Sequence, residues 1–417
     1  MMPGDVPPVS GALRSRTPLP DVYTQTDELA TLHGAINLGR GAPDFDGPPV
    51  LRRAALTAMR SGLNQYTASA GHPDLLRTLA ETAAPDGVDY DPMTEITVTA
   101  GATEALAVAL ETLLEPGDEV LMLEPFYDSY PALVLRAGGI PVPVALARHG
   151  ASYVLDVDAV AAAVTARTKV LLLNTPHNPT GWSASADELK ALADVVLRHG
   201  LHVVCDEVYG ELVYGSVGGD ETRHHSIACL PGLRERTVVC SSASKCLSVC
   251  GWRVGWAYAP RGLTSTLRDA HRMLSYCAPV PLQLGVAEGL AWARRTGWFN
   301  RQHTLYRERR DALVSGLTAA GLRPAVPAGG FMVIAETGNV LPDEPMAANE
   351  VLARDHGVTG LPLSGFFESP QRACGLLRFA FCKELAVIEE AGRRLAVLSS
   401  TEVAPSDRSR EIHVGSD

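Results

Sequence analysis

"SSASKCLSVCGWRVGW", residues 241–256, follows the apolar run "TVVC" (237–240) and sets a lysine among small hydroxyl residues, with two cysteines, an arginine and two tryptophans close behind. The stretch has three physical readings: a thiol or metal site, a basic binding patch, or a lysine kept for covalent chemistry. A lone lysine is ordinarily a solvated surface residue. Lys245, however, comes after a strand-like run, follows Ser242 and Ser244, and precedes Arg253 by eight residues. Removing a lysine from water disfavours its charged form and leaves the nucleophilic amine that a Schiff base requires. Nearby hydroxyls and a guanidinium bind a phosphate in fork geometry.

The remainder of the chain discriminates among these readings. The eight cysteines (Cys205, Cys229, Cys240, Cys246, Cys250, Cys277, Cys374 and Cys382) are scattered over 417 residues with no CxxC pair. Zinc sites show paired short spacings, and disulfide scaffolds are short and Cys-dense, so no metal is expected and the thiols read as small buried residues. The net charge of −11 argues against a nucleic-acid surface. Hydrophobic residues at 46% and charged residues at 20% are ordinary for a globular protein. No apolar run approaches the ~20 residues that span a bilayer. The N-terminal "MMPGDVPPVSGALRSR" lacks the apolar segment of a secretory signal. No membrane association and a cytoplasmic location are therefore expected.

Between residues 94 and 258 short apolar runs alternate with helical stretches: "EITVT" (95–99), "EVLML" (119–123), "KVLLL" (169–173), "HVVCD" (202–206) and "TVVC". Near-continuous apolar strands are those covered on both faces. From Leu189 the positions Leu192, Ala193, Val196 and Leu197 follow helical spacing, with Ser185 and Glu188 as a capping box and Gly200 as the stop. Strand–helix alternation predicts an α/β fold with a mostly parallel sheet and ligands beyond the carboxyl ends of its strands. Segments 51–80 and 305–320 read as helices, and "FMVIAE" (331–336) and "LLRFAF" (376–381) as strands of a second, α+β region. The expected division is a mobile arm over 1–25, a large domain over 51–295, a small domain from 26–50 with 296–398, and a polar tail over 399–417.

Three further motifs fall at strand ends. In "TAGATEAL" (99–106) a strand turns through Gly101 into a helix, whose free N–H groups suit an anion, although a plain turn explains the stretch equally well. "NTPHNPTG" (174–181) presents Asn178 on a proline-fixed turn, again compatible with a simple loop. In "CDEVYGEL" (205–212) Asp206 ends an apolar strand, where a buried carboxylate is costly without a positive partner, and Tyr209 follows three residues on. A helix cap and a core tyrosine would account for these two singly. Together, a phosphate cradle, a lysine amine, a carboxylate and a phenol are what pyridoxal 5′-phosphate needs.

The order of "NLGRGAPDF" (37–45), "NQYT" (64–67), "TAGATEAL", "PGDEVLMLEPFYDSY" (116–130), "NTPHNPTG", "DEVY", "SASK…GWRVGW" and "LLRFAFCK" (376–383) resembles the class I/II aminotransferases, nearest the bacterial aspartate/aromatic and kynurenine aminotransferase (cysteine-conjugate β-lyase) branch. The resemblance covers roughly residues 30–395. It implies the fold-type I architecture of pyridoxal-phosphate enzymes: a large domain with a mostly parallel seven-stranded sheet between helices, plus a smaller α+β domain. By the same resemblance Lys245 holds the cofactor as a Schiff base and, once released by substrate, carries the proton between Cα and C4′. Asp206 pairs with the pyridine nitrogen, and Asn178 and Tyr209 with the phenolic oxygen. Ala102, Thr103, Ser242, Ser244 and Arg253 hold the phosphate. Tyr127 stacks on the ring, with Phe126 as the alternative. Tyr66 reaches the phosphate of the neighbouring subunit, which implies a homodimer. Arg378 grips the substrate α-carboxylate, assisted by Asn178 and the backbone at Gly41.

Three positions depart from the pattern: Cys246 and Cys250 stand where threonine is usual, and Arg40 replaces a common glutamine. Arg40 would serve an acidic substrate or point into solvent. His224 and His225 lie in a polar loop and read as surface. The function expected is exchange of an amino group between an L-amino acid and a 2-oxo acid. β- or γ-Elimination, replacement or amino-acid oxidation on the same scaffold is the alternative, because elimination starts from the same proton removal. A regulator without enzymatic activity is disfavoured, since every expected catalytic position is intact.

Overall fold

The computed structural model describes residues 21–83, 87–215 and 223–400. Seven strands form the central sheet: β1 (Ile96–Thr99), β2 (Glu119–Glu124), β3 (Ile140–Ala145), β4 (Thr168–Asn174), β5 (His202–Asp206), β6 (Thr237–Ser242) and β7 (Gly255–Tyr258). Their order is β1-β7-β6-β5-β4-β2-β3. Only β7 runs antiparallel, pairing with β1 and β6, so the carboxyl ends of all the others lie along one edge. The five apolar runs read from the sequence are β1, β2, β4, β5 and β6, buried almost throughout. The other two strands were not legible. β3 carries Pro141 and Pro143 and is half exposed, as a sheet-edge strand can be. β7 is only four residues long and runs against its neighbours.

The helices follow their sequence signals with two corrections. α1 (Val22–His33) begins inside the segment expected to be a mobile arm: Asp21 caps it by accepting the Thr24 N–H, and Val22, Thr26 and Ala30 bury one face. The rest of that arm (1–20), and all but the first two residues of the expected tail (401–417), lie outside the described residues. The segment read as one helix over 51–80 is two, α2 (Pro49–Arg60) and α3 (Pro73–Ala83), interrupted by an irregular stretch through Gly62 and Gly71, both at positive φ. α4 (Ala102–Leu113) enters from β1, and α5 (Ser129–Arg136) follows β2. α6 (Ala186–His199) shows the full Ser185–Glu188 capping box and a left-handed Gly200 at its end. α7 (Ala243–Cys246) is a single turn after β6. The helix read at 305–320 is the later part of Trp298–Ala319, with Ala320 as its C-cap.

A second, antiparallel sheet is made by β8 (Arg323–Pro324), β9 (Met332–Glu336), β10 (Leu361–Pro362) and β11 (Leu376–Ala380), in the order β8-β9-β11-β10. Ile36–Asn37 pair in parallel with Val358–Thr359 and so tie the early chain to this late region. One core cluster contains Leu38 and Phe331, Val333, Leu377 and Phe379, while the central sheet is covered by two others on its faces. Lys245, at the end of β6, and Arg378, on β11, thus come from the two different sheets.

Candidate active site

Parallel strands deliver their carboxyl-terminal residues to one edge, where ligands of such sheets bind. β1, β4, β5 and β6 bring Ala102, Thr103, Asn174, Asn178, Asp206, Tyr209, Ser242, Ser244, Lys245 and Arg253 around a single cavity, with Tyr127, Tyr130, Leu106, Val208 and Cys250 completing its wall.

One end of this cavity suits a phosphate. Gly101 caps α4 without any side-chain cap, at φ 87°, so the first N–H groups of the helix face outward unshielded. Arg253, itself in left-handed backbone at φ 53°, lies over that glycine: a Cβ on Gly101 would meet Arg253 Nη2 at 2.4 Å. A Cβ on Gly255 would likewise fall 2.4 Å from the Gly101 carbonyl carbon, so the approach of helix terminus and guanidinium requires both glycines. Ser242 caps α7, accepting the Ser244 N–H at 3.3 Å.

The same cavity is lined by a buried carboxylate. Asp206 Oδ2 accepts the Tyr130 hydroxyl at 2.8 Å and Oδ1 accepts the Val208 N–H at 3.1 Å. Burial pushes its pKa up to about 6, against the lowering effect of the Tyr130 and Val208 hydrogen bonds and the Lys245 charge. Asn174, the last residue of β4, donates to the Asp206 carbonyl at 2.9 Å and accepts the Asn178 N–H at 2.7 Å, which fixes two site residues at once. Tyr209 is buried with its ring edge-on to Phe331 at 5.1 Å, and burial holds its phenol well above the usual value, as a neutral donor. Tyr127 lines the cavity, whereas Phe126 is 3% exposed and packs into the core.

Lys245 is half-buried. Its Nζ lies 3.4 Å from the Gly41 carbonyl, 3.7 Å from Cys250 Sγ and 5.3 Å over the Phe331 ring. Arg378, on β11, is 1% exposed: Nη1 donates to Asn178 Oδ1 at 3.1 Å, Nη2 to the Gly39 carbonyl at 3.2 Å, and Nε is buried without a partner. The Tyr23 and Phe366 rings flank its guanidinium at 5.7 and 5.2 Å. A buried cation with a spare donor between aromatic faces fits a ligand carboxylate. Tyr66 is 83% exposed and stands apart from this cavity, edge-on to Tyr276 at 5.4 Å.

The departures have local explanations. Cys246 Sγ donates to the Ser242 carbonyl at 3.5 Å and Cys250 Sγ to the Ser244 carbonyl at 3.2 Å, the kind of backbone bond a threonine hydroxyl makes. Burial pushes the Cys246 thiol far up, so it stays protonated. Arg40 takes neither expected position in simple form: it pairs with Asp27 of α1 and lies 5.9 Å from the Tyr23 ring. His224 is not a surface residue. It is 12% exposed, its Nε2 sits 3.0 Å from Glu207 Oε2, and Ser226 donates to the other oxygen of that carboxylate.

Sequence reading missed Tyr130, Asn174, Tyr23, Phe331 and Phe366. Only Asn174, a polar residue closing an apolar strand, left a local signal. The parts fit pyridoxal 5′-phosphate: a bare helix terminus with a guanidinium, a buried carboxylate and a lysine amine around one cavity.

Residues 33–395 match the model of the family described as aminotransferase class I and II. The chain is 41% identical, over 91% of its length and 96% of the relative's, to a probable N-succinyldiaminopimelate aminotransferase of Mycobacterium tuberculosis. It is 34% identical, over 91% and 94%, to a kynurenine–oxoglutarate transaminase of Dictyostelium discoideum. The solved structure of N-succinyldiaminopimelate aminotransferase from Mycobacterium tuberculosis superimposes with a TM-score of 0.86 at 42% identity, covering 90% of this chain and 97% of that one. The chain belongs to the class I and II aminotransferases, fold-type I enzymes that depend on pyridoxal 5′-phosphate.

Proposed function

We propose that this aminotransferase exchanges an amino group between an L-amino acid and a 2-oxo acid with Lys245 as the amine that carries the cofactor and moves the proton. When bound, pyridoxal 5′-phosphate supplies an electron-withdrawing ring that stabilises negative charge at the substrate Cα. Arg378 holds the substrate α-carboxylate, with Asn178 and the Gly41 backbone beside it. Lys245 Nζ then takes the Cα proton and returns it to the other side of the transferred nitrogen. Asp206 fixes a protonated ring nitrogen, Asn178 and Tyr209 the phenolic oxygen, and Tyr127 the ring face. Ala102, Thr103, Ser242, Ser244 and Arg253 hold the phosphate. The observation that carries this reading is the joint placement of Lys245, Asp206 and Arg253 around one cavity, with Arg378 bonded to its wall residue Asn178. Mixing the loaded enzyme with an amino acid and no 2-oxo acid tests it. One equivalent of 2-oxo acid per site, and no free ammonia, is expected. Continued release of ammonia and 2-oxo acid would assign elimination or oxidation instead.

A homodimer completes the site in this reading. Tyr66 and Tyr276 meet edge-on while both are exposed, apolar surface that a second copy would cover. The solution mass is expected to be twice 44.3 kDa, and Tyr66→Phe should weaken cofactor binding without dissociating the dimer. A monomer of full activity would remove Tyr66 from the site. Eight cysteines without disulfides, two of them exposed, suit a reducing compartment and support a cytoplasmic location. The pairing of 36–37 with 358–359 supports a small domain assembled from 26–50 and 296–398 beside a large domain over 51–295.

A further inference from the structure

Tyr130 stands in the first turn of α5, 76 residues before the carboxylate it touches. It is 2% exposed, and its ring packs in the core cluster that also holds Leu106, Met122, Val134 and Leu172. Its hydroxyl donates to Asp206 Oδ2 at 2.8 Å, and the backbone N–H of Val208 donates to Oδ1 at 3.1 Å. One donor on each oxygen orients the carboxyl plane while leaving each oxygen a further lone pair. Burial, before any neighbouring charge, holds the phenol well above its usual range, so Tyr130 remains a donor across the working pH.

We propose that Tyr130 is a positioning residue, which aims the Asp206 carboxylate at the cofactor's ring nitrogen and keeps that carboxylate ionised. The proposal rests on the reading of Asp206 given above. The groups that bear on Asp206 come from several elements. Glu207 beside it raises its proton affinity, and Lys245 from α7 and the Val208 amide lower it. Cys240 from β6 and the buried phenols of Tyr127 and Tyr209 are neutral neighbours. Among the lowering contributions the Tyr130 hydrogen bond is the largest, set against a burial that already brings the group to about 6. Without that hydroxyl the carboxyl gains protons at higher pH, and a neutral carboxyl cannot balance a protonated ring nitrogen.

The test is a titration of full-length apoenzyme with pyridoxal 5′-phosphate across pH, for wild type, Tyr130→Phe, Asp206→Asn and the double variant. Phenylalanine keeps the packed ring and removes only the hydroxyl. Wild-type affinity is expected to fall as pH drops through about 6, following protonation of Asp206. In Tyr130→Phe that fall should begin at higher pH, and affinity at pH 7 should be lower by roughly tenfold or more, the scale of a hydrogen bond to a charged group. In Asp206→Asn the pH dependence should be lost, and adding Tyr130→Phe should change little further. A Tyr130→Phe profile that overlays wild type, while Asp206→Asn is impaired, overturns the proposal alone. The same holds if Tyr130→Phe costs as much in the Asp206→Asn background as in wild type, which would mark a packing role. An Asp206→Asn enzyme that binds as wild type does would instead overturn the reading of Asp206 itself.

Discussion

Lys245→Ala is expected to lose the borohydride-stable link between protein and cofactor and to lower kcat/KM by about 10⁴, the upper range for removing a positioned acid–base group. Among the described residues lining the cavity, Lys245 is the only amine, and it sits in the one-turn helix that β6 feeds. Its surroundings are arranged for a mobile amine: a carbonyl at 3.4 Å, a thiol at 3.7 Å and an aromatic face at 5.3 Å, none of them a carboxylate that would hold it as a fixed ion pair. The competing amine is Lys383, whose Nζ donates to the Ala42 carbonyl at 2.8 Å, one residue from the Gly41 that Lys245 contacts. Peptide mapping after borohydride treatment separates the two. A trapped adduct on Lys383 in the Lys245→Ala protein would move the chemistry to the other lysine and overturn the assignment. Cofactor retained without a covalent link, with turnover gone, is the expected outcome.

The sequence carried much of this because the chemistry sits where local signals are strongest. Asp206 ends an apolar strand and Lys245 and Asn178 each follow one, and strand ends of a parallel sheet converge by topology, so three separate motifs could be placed in one site from the chain alone. Tyr130 was invisible for the opposite reason. Its partner is 76 residues away, and "EPFYDSY" offers three aromatics with nothing local to say which stacks, which packs and which donates. His224 misled in a similar way. Its loop is polar, yet Glu207, next to Asp206 at the end of β5, draws the ring inward. Secondary structure failed where tertiary context overrides pattern: two prolines obscured β3, and the proline-rich start hid the Asp21–Thr24 cap of α1. The helix that this cap starts carries Tyr23 to the Arg378 guanidinium and Asp27 to Arg40.

Arg378→Ala is expected to lower kcat/KM for both the amino acid and the 2-oxo acid by roughly 10²–10³, from the 2–5 kcal/mol cost of truncating a buried, hydrogen-bonded charge. Most of the loss should fall in KM, because in the proposed role the substrate carboxylate would be gripped equally before and during proton transfer, and uniform binding sets KM and not kcat. Arg378→Lys should recover only part of it. Lysine keeps the charge but lacks the planar fork that donates to Asn178 and Gly39 while leaving a further N–H for the substrate. Loss of general fold integrity would produce a similar drop, so the decisive measurement uses a primary amine without an α-carboxylate as amino donor. That donor makes no ion pair with Arg378, and wild type and Arg378→Ala should turn it over at the same slow rate. An equal fold-loss on both donors would mean that the arginine serves the junction between Gly39 and Asn178, and that the carboxylate is held elsewhere.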